Sequence, residues 1–263
     1  MRVIKLCSGE GNGIDAACLM TASNMLIGRG EDGDKNWCVC PLLREFIIQT
    51  NDAMPDDLRA ELYGPLVFEI LGTRNDDHDV ILQRAFAFAD WSVRVVTPIS
   101  LRACGFESQA VVLEQLAPIA VANAANAVAV VADAYESAYA SAYWDASAYA
   151  SVRTVSAVRS VSAVRAVRAA LAANTADVAD LAASATTAAA YAASAATYVT
   201  NSVTTSVTTS AALVADATEN IRRLCPEIIL RVAAIGDLRP KSGFDQQSCA
   251  MTADELATAL SCC

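Results

Sequence analysis

No glycine falls between Gly105 and Gly236, and no proline between Pro118 and Pro226. These residues are the strongest interruptions of an α-helix: proline lacks the N–H and its ring clashes one turn back, and glycine carries the largest backbone entropy cost. In addition, 38 of the 103 residues from Ala117 to Glu219 are alanine, the best helix former. The stretch is therefore committed to helix. One unbroken helix of that length would extend roughly 160 Å, at about 1.5 Å per residue. A bundle is more compact, so turns are expected at Asn174-Thr175, where Thr175 can cap Ala176-Asp177-Val178, and at Asn201-Ser202.

Short repeats run through this region. Val152, Val155, Val158, Val161, Val164 and Val167 recur every three residues, a spacing that precesses around a helix and visits every face. Thr175, Thr186, Thr197 and Thr208 recur every eleven, which keeps a straight helix nearly in line. From Leu181 to Ala215 there is no charge over 35 residues, and 13 of these are Ser or Thr. A bilayer span wants about 20 residues dominated by Leu, Ile, Val and Phe, so this alanine and hydroxyl run is not read as a membrane helix. A charge-free helix of small side chains is normally covered on most sides. Alanine and serine let axes approach closely but bury little area each, so a large aggregate contact is needed.

Self-association supplies such a contact, and a bundle that covers itself is the plainer alternative. Tyr135, Tyr139 and Tyr143 lie at i, i+4 and i+8, one stripe of a helix. Arg153, Arg159 and Arg165 follow, interleaved with Val152, Val155 and Val158. This set is the expected interface, with arginines laying their stems along apolar surface. Nucleic acid is not an expected partner: the formal net charge is −10, and phosphate neutralisation needs a basic face.

Residues 1–116 carry nine of the eleven glycines and are punctuated as short helices. Asp15 can cap a helix to Ile27, with Gly28 beyond it. Pro41 opens a helix whose apolar face is Leu42, Leu43, Phe46 and Ile47. Pro55 opens Asp56–Tyr63, and Pro65 opens a segment from Leu66 to Leu71 that Gly72 stops. Asp77 or Asp79 starts a longer helix through Trp91, and Thr97-Pro98 caps another that ends at Gly105. The only strand-like pattern is Arg2–Leu6. In the last part, 225–263, Pro226 opens a helix stopped by Gly236, and Thr252 to Glu255 forms a capping box.

Candidate chemistry is sparse. The chain has one histidine, His78, among Asp76, Asp77 and Asp79, where capping and solvated charge explain it better than catalysis. Gly9-Glu10-Gly11-Asn12-Gly13 has the outline of a phosphate-cradling loop, but Glu10 and Asp15 would repel phosphate and the spacing misses the dinucleotide fingerprint, so a bare turn is preferred. Asp32 to Leu43 begins like a calcium loop but lacks its glycine and its final glutamate. Cys7, Cys18, Cys38 and Cys40 are four thiols that could hold a structural zinc. Their spacings match no zinc ribbon or finger, and one or two disulfides or buried thiols are the other readings. No catalytic residues are assigned and no cofactor is expected beyond that zinc. Nine cysteines in a chain of 263 residues, without an apolar leader before Gly9, read as free thiols in a reducing cytoplasm.

Cys18-Leu19-Met20, Leu26-Ile27-Gly28, Cys38-Val39-Cys40-Pro41, Asn51-Asp52, Leu71-Gly72-Thr73-Arg74, Ala89-Asp90-Trp91-Ser92-Val93-Arg94 and Thr97-Pro98 together resemble a set of uncharacterised bacterial and bacteriophage proteins. In these, a short Cys-containing domain precedes a long Ala-rich helical tail. The resemblance covers about residues 7–116 by motif and implies architecture and phage association, with no activity attached. The expectation is an all-α protein in three parts: 1–116, a bundle of short helices; 117–224, long Ala-rich helices packed as a bundle or an oligomeric assembly; and 225–263, C-terminal helices. The expected role is non-enzymatic and structural, an oligomer or filament of the chain with itself. The alternatives are a phage-type module that sequesters a small ligand or blocks a defence system, and a Cys–metal regulatory module.

Overall fold

The computed structural model describes residues 5–9, 16–27, 36, 38–143, 150–176, 178–197 and 208–236. The protein is all-α, with 78% of the described residues helical and 2% in strands. It forms two compact units, Met1–Val80 with Pro226–Cys263, and Ile81–Cys225.

The first unit opens with strand β1 (Lys5–Leu6), which pairs in parallel with β2 (Ala16–Ala17). Helix α1 (Leu19–Leu26) follows directly. The helix expected to be capped by Asp15 thus begins three residues later. Ala16 and Ala17 are taken by the strand pair, and the cap is Cys18, whose sulfur accepts from Thr21 N at 3.3 Å. Helix α2 (Pro41–Asp52) has proline in its first turn, and it buries Leu42, Leu43, Phe46 and Ile47 as its pattern requires. Helices α3 (Asp56–Tyr63) and α4 (Leu66–Glu69) follow their prolines. Gly72 stops the chain after α4 with φ +72°. Helix α1 packs on α2 and α4, and α3 packs on α4 and β1, around Leu6, Leu19, Met20, Phe46 and Val67.

Helix α5 (His78–Trp91) is capped by Asp77, whose carboxylate accepts from Asp79 N at 2.9 Å and Val80 N at 3.1 Å. It leads into a π turn (Ser92–Val96) and on into α6 (Thr97–Ala103). The new helix expected at Thr97-Pro98 is therefore a continuation, because Val96 is already helical (φ −67°, ψ −48°). Pro98 has no N–H to donate and its ring crowds the carbonyl four residues back, so the helix widens just ahead of it. The Thr97 hydroxyl donates to Ser92 O at 2.8 Å across the widened turn. Gly105, φ +81°, closes α6, and α7 (Glu107–Glu114) follows.

A 3-10 turn (Val121–Asn123) precedes α8 (Ala124–Tyr143). Helices α9 (Ala150–Thr175) and α10 (Val178–Thr197) form a hairpin. The turn lies where Asn174-Thr175 placed it, and the Thr175 hydroxyl donates back to Ala172 O at 3.1 Å. The Asn201-Ser202 turn, the 32–35 loop and the capping box at 252–255 lie outside the described residues.

Alanines form the α9–α10 seam: Ala163, Ala166, Ala170 and Ala173 on one side, and Ala185, Ala188, Ala189, Ala192 and Ala196 on the other, are buried. Small side chains of this kind let helix axes approach closely. The π turn packs on both helices, α6 and α8 pack on α9, and α7 packs on α8. The eleven-residue threonines end up on three helices, α9, α10 and α11, because the chain turns after Thr175.

Helix α11 (Thr208–Ala234) contains Pro226 in its interior. A fresh helix start at this proline is thus corrected to a helix interior. Ile221, Cys225, Ile228, Ile229 and Val232 are buried and continue one apolar face across it. Burial of that face outweighs the roughly 3 kcal/mol that an interior proline costs. Gly236, φ +64°, ends the helix as expected. Among the described residues no helix is long and apolar enough to cross a membrane.

Candidate functional site

The most developed constellation in the described residues lies where β1, β2, α1 and the end of α2 meet. It is built on the C-terminus of α2. Arg59, 2% exposed, folds back from α3: Nε donates to Asn51 O at 3.0 Å, and Nη2 donates to Met54 O. Asn51 O also accepts from Met54 N at 3.1 Å, so the guanidinium supplies it a second donor, provides the donor for Met54 O and complements the negative end of the helix dipole. Nη1 pairs with Asp56 Oδ1 at 2.5 Å, and Lys5 Nζ lies 3.6 Å from Asp56 Oδ2. The hydrogen bond and the charge of Arg59, aided by Lys5, hold the Asp56 carboxyl below its usual range.

With its end fixed, α2 grips β1 through two adjacent side chains. Asn51 Nδ2 donates to Cys7 O at 2.9 Å, and Asp52 Oδ1 accepts from Gly9 N at 2.7 Å. Gly9 adopts φ +65°, open to glycine at little cost. Gly9, Cys18, Leu19, Met20, Ile47, Ile48, Asn51 and Asp52 line a cleft of about 50 Å³. That is room for a water or a very small group. Asn51 is 1% exposed, and its Oδ1 is buried without a hydrogen-bond partner.

Two of the four singled-out cysteines meet here. Cys7 N donates to Ala17 O at 3.0 Å, which continues the parallel ladder past Leu6↔Ala17. Burial pushes the Cys7 thiol up, and neighbouring Cys18 adds to this, as do Asp56 and Asp52 against the pull of Arg59. The other two cysteines serve the start of α2. Cys40 N donates to Thr73 Oγ1 at 3.1 Å, and Arg74 N donates to Cys38 O at 3.1 Å. The Cys38-Val39-Cys40-Pro41 and Leu71-Gly72-Thr73-Arg74 motifs are thus two halves of one tie. All four cysteines are thiols, and among the described residues no three His, Cys, Asp or Glu side chains gather as a metal group.

Asp90 and Arg94 form a second tie, in the second unit. Asp90, 4% exposed, accepts from Arg94 Nη1 at 3.2 Å and from Ile119 N at 2.9 Å, which fixes the entry to α8. His78 sits exposed at the start of α5 with its ring nitrogen 3.4 Å from Asp79 Oδ1.

Of the expected interface residues, Tyr135, Tyr139 and Tyr143 fall on α8, and Val152, Arg153, Val155, Val158 and Arg159 on the first half of α9; their side chains lie outside the described residues. Arg165 is exposed and its guanidinium lies 5.7 Å from the ring centroid of Tyr191 on α10, a cation–π contact within the hairpin. The sequence reading passed over Arg59. Its signal was available: an arginine seven residues beyond Asp52, in reach of the carbonyls that end the Pro41 helix.

Compared with protein-family models, curated proteins and solved structures, the chain matches none.

Proposed function

We propose that this protein acts by contact, as a non-enzymatic structural protein that self-associates through its Ala-rich helical region. The observation that carries this reading is apolar surface left open in the second unit: Val112, Val121 and Leu213 are 49%, 42% and 51% exposed. Helix α10 does not supply it, because among its described side chains only Ala183 and Thr187 are exposed, and that covering fits the plainer bundle reading. The contact surface between copies is proposed on α8 and the first half of α9, with Tyr135, Tyr139, Tyr143, Val152, Val155, Val158, Arg153 and Arg159. Six thiols among the described cysteines fit a reducing cytoplasm, and a phage origin rests on the motif resemblance alone.

Light scattering of the full chain at micromolar concentration, with electron microscopy, tests the proposal. An oligomer or filament is expected, and Val112→Asp, at an exposed position, should reduce it while leaving the helical circular dichroism intact. A strict monomer over the accessible concentration range overturns it. The second reading, capture of a small ligand, is favoured by the unpartnered Asn51 Oδ1 in the cleft of the first unit. A ligand-dependent rise in melting temperature without large assembly would select it.

A further inference from the structure

The strand pair places two thiols in register. Leu6 lies opposite Ala17, and the Cys7 N to Ala17 O bond carries the ladder one step further, so the next opposed pair is Cys7 and Cys18. Cys18 is still extended, with φ −72° and ψ 169°, before the chain turns into α1. Opposed residues of parallel strands project to the same face, about 4.8 Å apart. A disulfide needs Cα atoms about 4.4–6.8 Å apart.

We propose that Cys7 and Cys18 are a dithiol pair that closes to a disulfide by exchange with a low-molecular-weight disulfide such as oxidised glutathione. Their exposure sets the order of events. Cys7 is half-buried and Cys18 is buried, so the incoming disulfide meets Cys7 first. The Cys7 sulfur, having given up its proton to solvent, attacks one sulfur of the reagent. The reagent S–S bond breaks and one thiolate leaves, taking up a proton. The Cys18 sulfur then loses its proton and attacks Cys7 Sγ, and the second thiol is expelled. Two protein thiols are oxidised, and one small disulfide is reduced to two thiols. Closure moves Cys18 Sγ off Thr21, to which it is bonded through N at 3.3 Å and Oγ1 at 3.4 Å. It therefore exchanges the α1 cap for a covalent link through Cys18, which lines the cleft. Burial raises the Cys7 thiol and keeps its thiolate fraction small near neutral pH, so the first attack is slow there and quickens as the pH rises.

Both cysteines lie in one tryptic peptide, Leu6–Arg29, and Asp15 separates them. The full chain is incubated with oxidised glutathione, alkylated, and mapped by mass spectrometry. The expected result is loss of the two thiol hydrogens from this peptide. Its halves should stay joined after cleavage before Asp15 and part on reduction. Cys18→Ser should trap the mixed disulfide on Cys7. A lasting glutathione adduct on Cys7 of the unmutated chain, with Cys18 still alkylated, overturns the proposal. So does linkage of either residue to Cys38 or Cys40, or no reaction at both. The map of the unmutated chain decides the matter even if the variant fails to fold.

Discussion

Arg59 shows how one side chain can set a site it does not line. Its guanidinium fork spans two carbonyls and a carboxylate at the end of α2, and through that end it fixes Asn51 and Asp52 against β1. Arg59→Ala leaves the Met54 carbonyl without its donor and strips a second donor from Asn51 O, and urea unfolding should record a loss of roughly 2–4 kcal/mol. Arg59→Lys should recover only part, since an ammonium cannot reproduce the fork. Gly236 is the other residue on which much rests. It sits at φ +64°, Asn75 Nδ2 donates to its carbonyl at 3.1 Å, and a Cβ there would lie 2.5 Å from Val80 Cγ2. Gly236→Ala therefore combines a left-handed backbone cost with overpacking, roughly 2–4 kcal/mol in all. In a double-mutant cycle, Val80→Ala should relieve the steric part and leave the backbone part, so the two changes are less than additive.

At the scale of elements, the two prolines inside helices behave differently. Pro98 is accommodated by a π turn whose Ser92 carbonyl is taken by the Thr97 hydroxyl, and that turn packs on α9 and α10. Pro226 lies within α11, held there by the apolar face on either side. Replacing it with alanine restores an N–H and removes a steric conflict. Pro226→Ala should thus raise stability by about 1–3 kcal/mol, read as a higher urea midpoint at unchanged slope. The α9–α10 hairpin makes the opposite point about alanine. Each methyl contributes little area, and the seam is stable because many are stacked along two long helices.

At the scale of the whole molecule, the proposed contact between copies draws on side chains that the core leaves exposed. Val112 is 49% exposed on α7, so Val112→Asp should shift unfolding by no more than about 0.5 kcal/mol. Any fall in scattering mass in that variant then reports association and not folding. Several motifs of the first unit and of α5 sort on the stability side. Cys38 to Pro41 with Leu71 to Arg74, Asn51-Asp52, and Asp90 with Arg94 all act here as internal ties.

The sequence by itself determined the helical class, the proline-opened helices α2 and α3, the turn after Thr175 and the stops at Gly72, Gly105 and Gly236. These follow from local chemistry: capping, a fixed proline φ, and the freedom of glycine at positive φ. Tertiary structure alone decided that Ala16-Ala17 is a strand, that Pro98 and Pro226 lie within helices, and that Arg165 turns to Tyr191. In each case the deciding partner is distant along the chain, and burial or pairing with it outweighs a local preference of a few kcal/mol at most. The site was half legible for the same reason. Cys7, Cys18 and Asn51-Asp52 could be picked out by type, whereas their meeting depends on a strand register and a buried arginine that no spacing encodes.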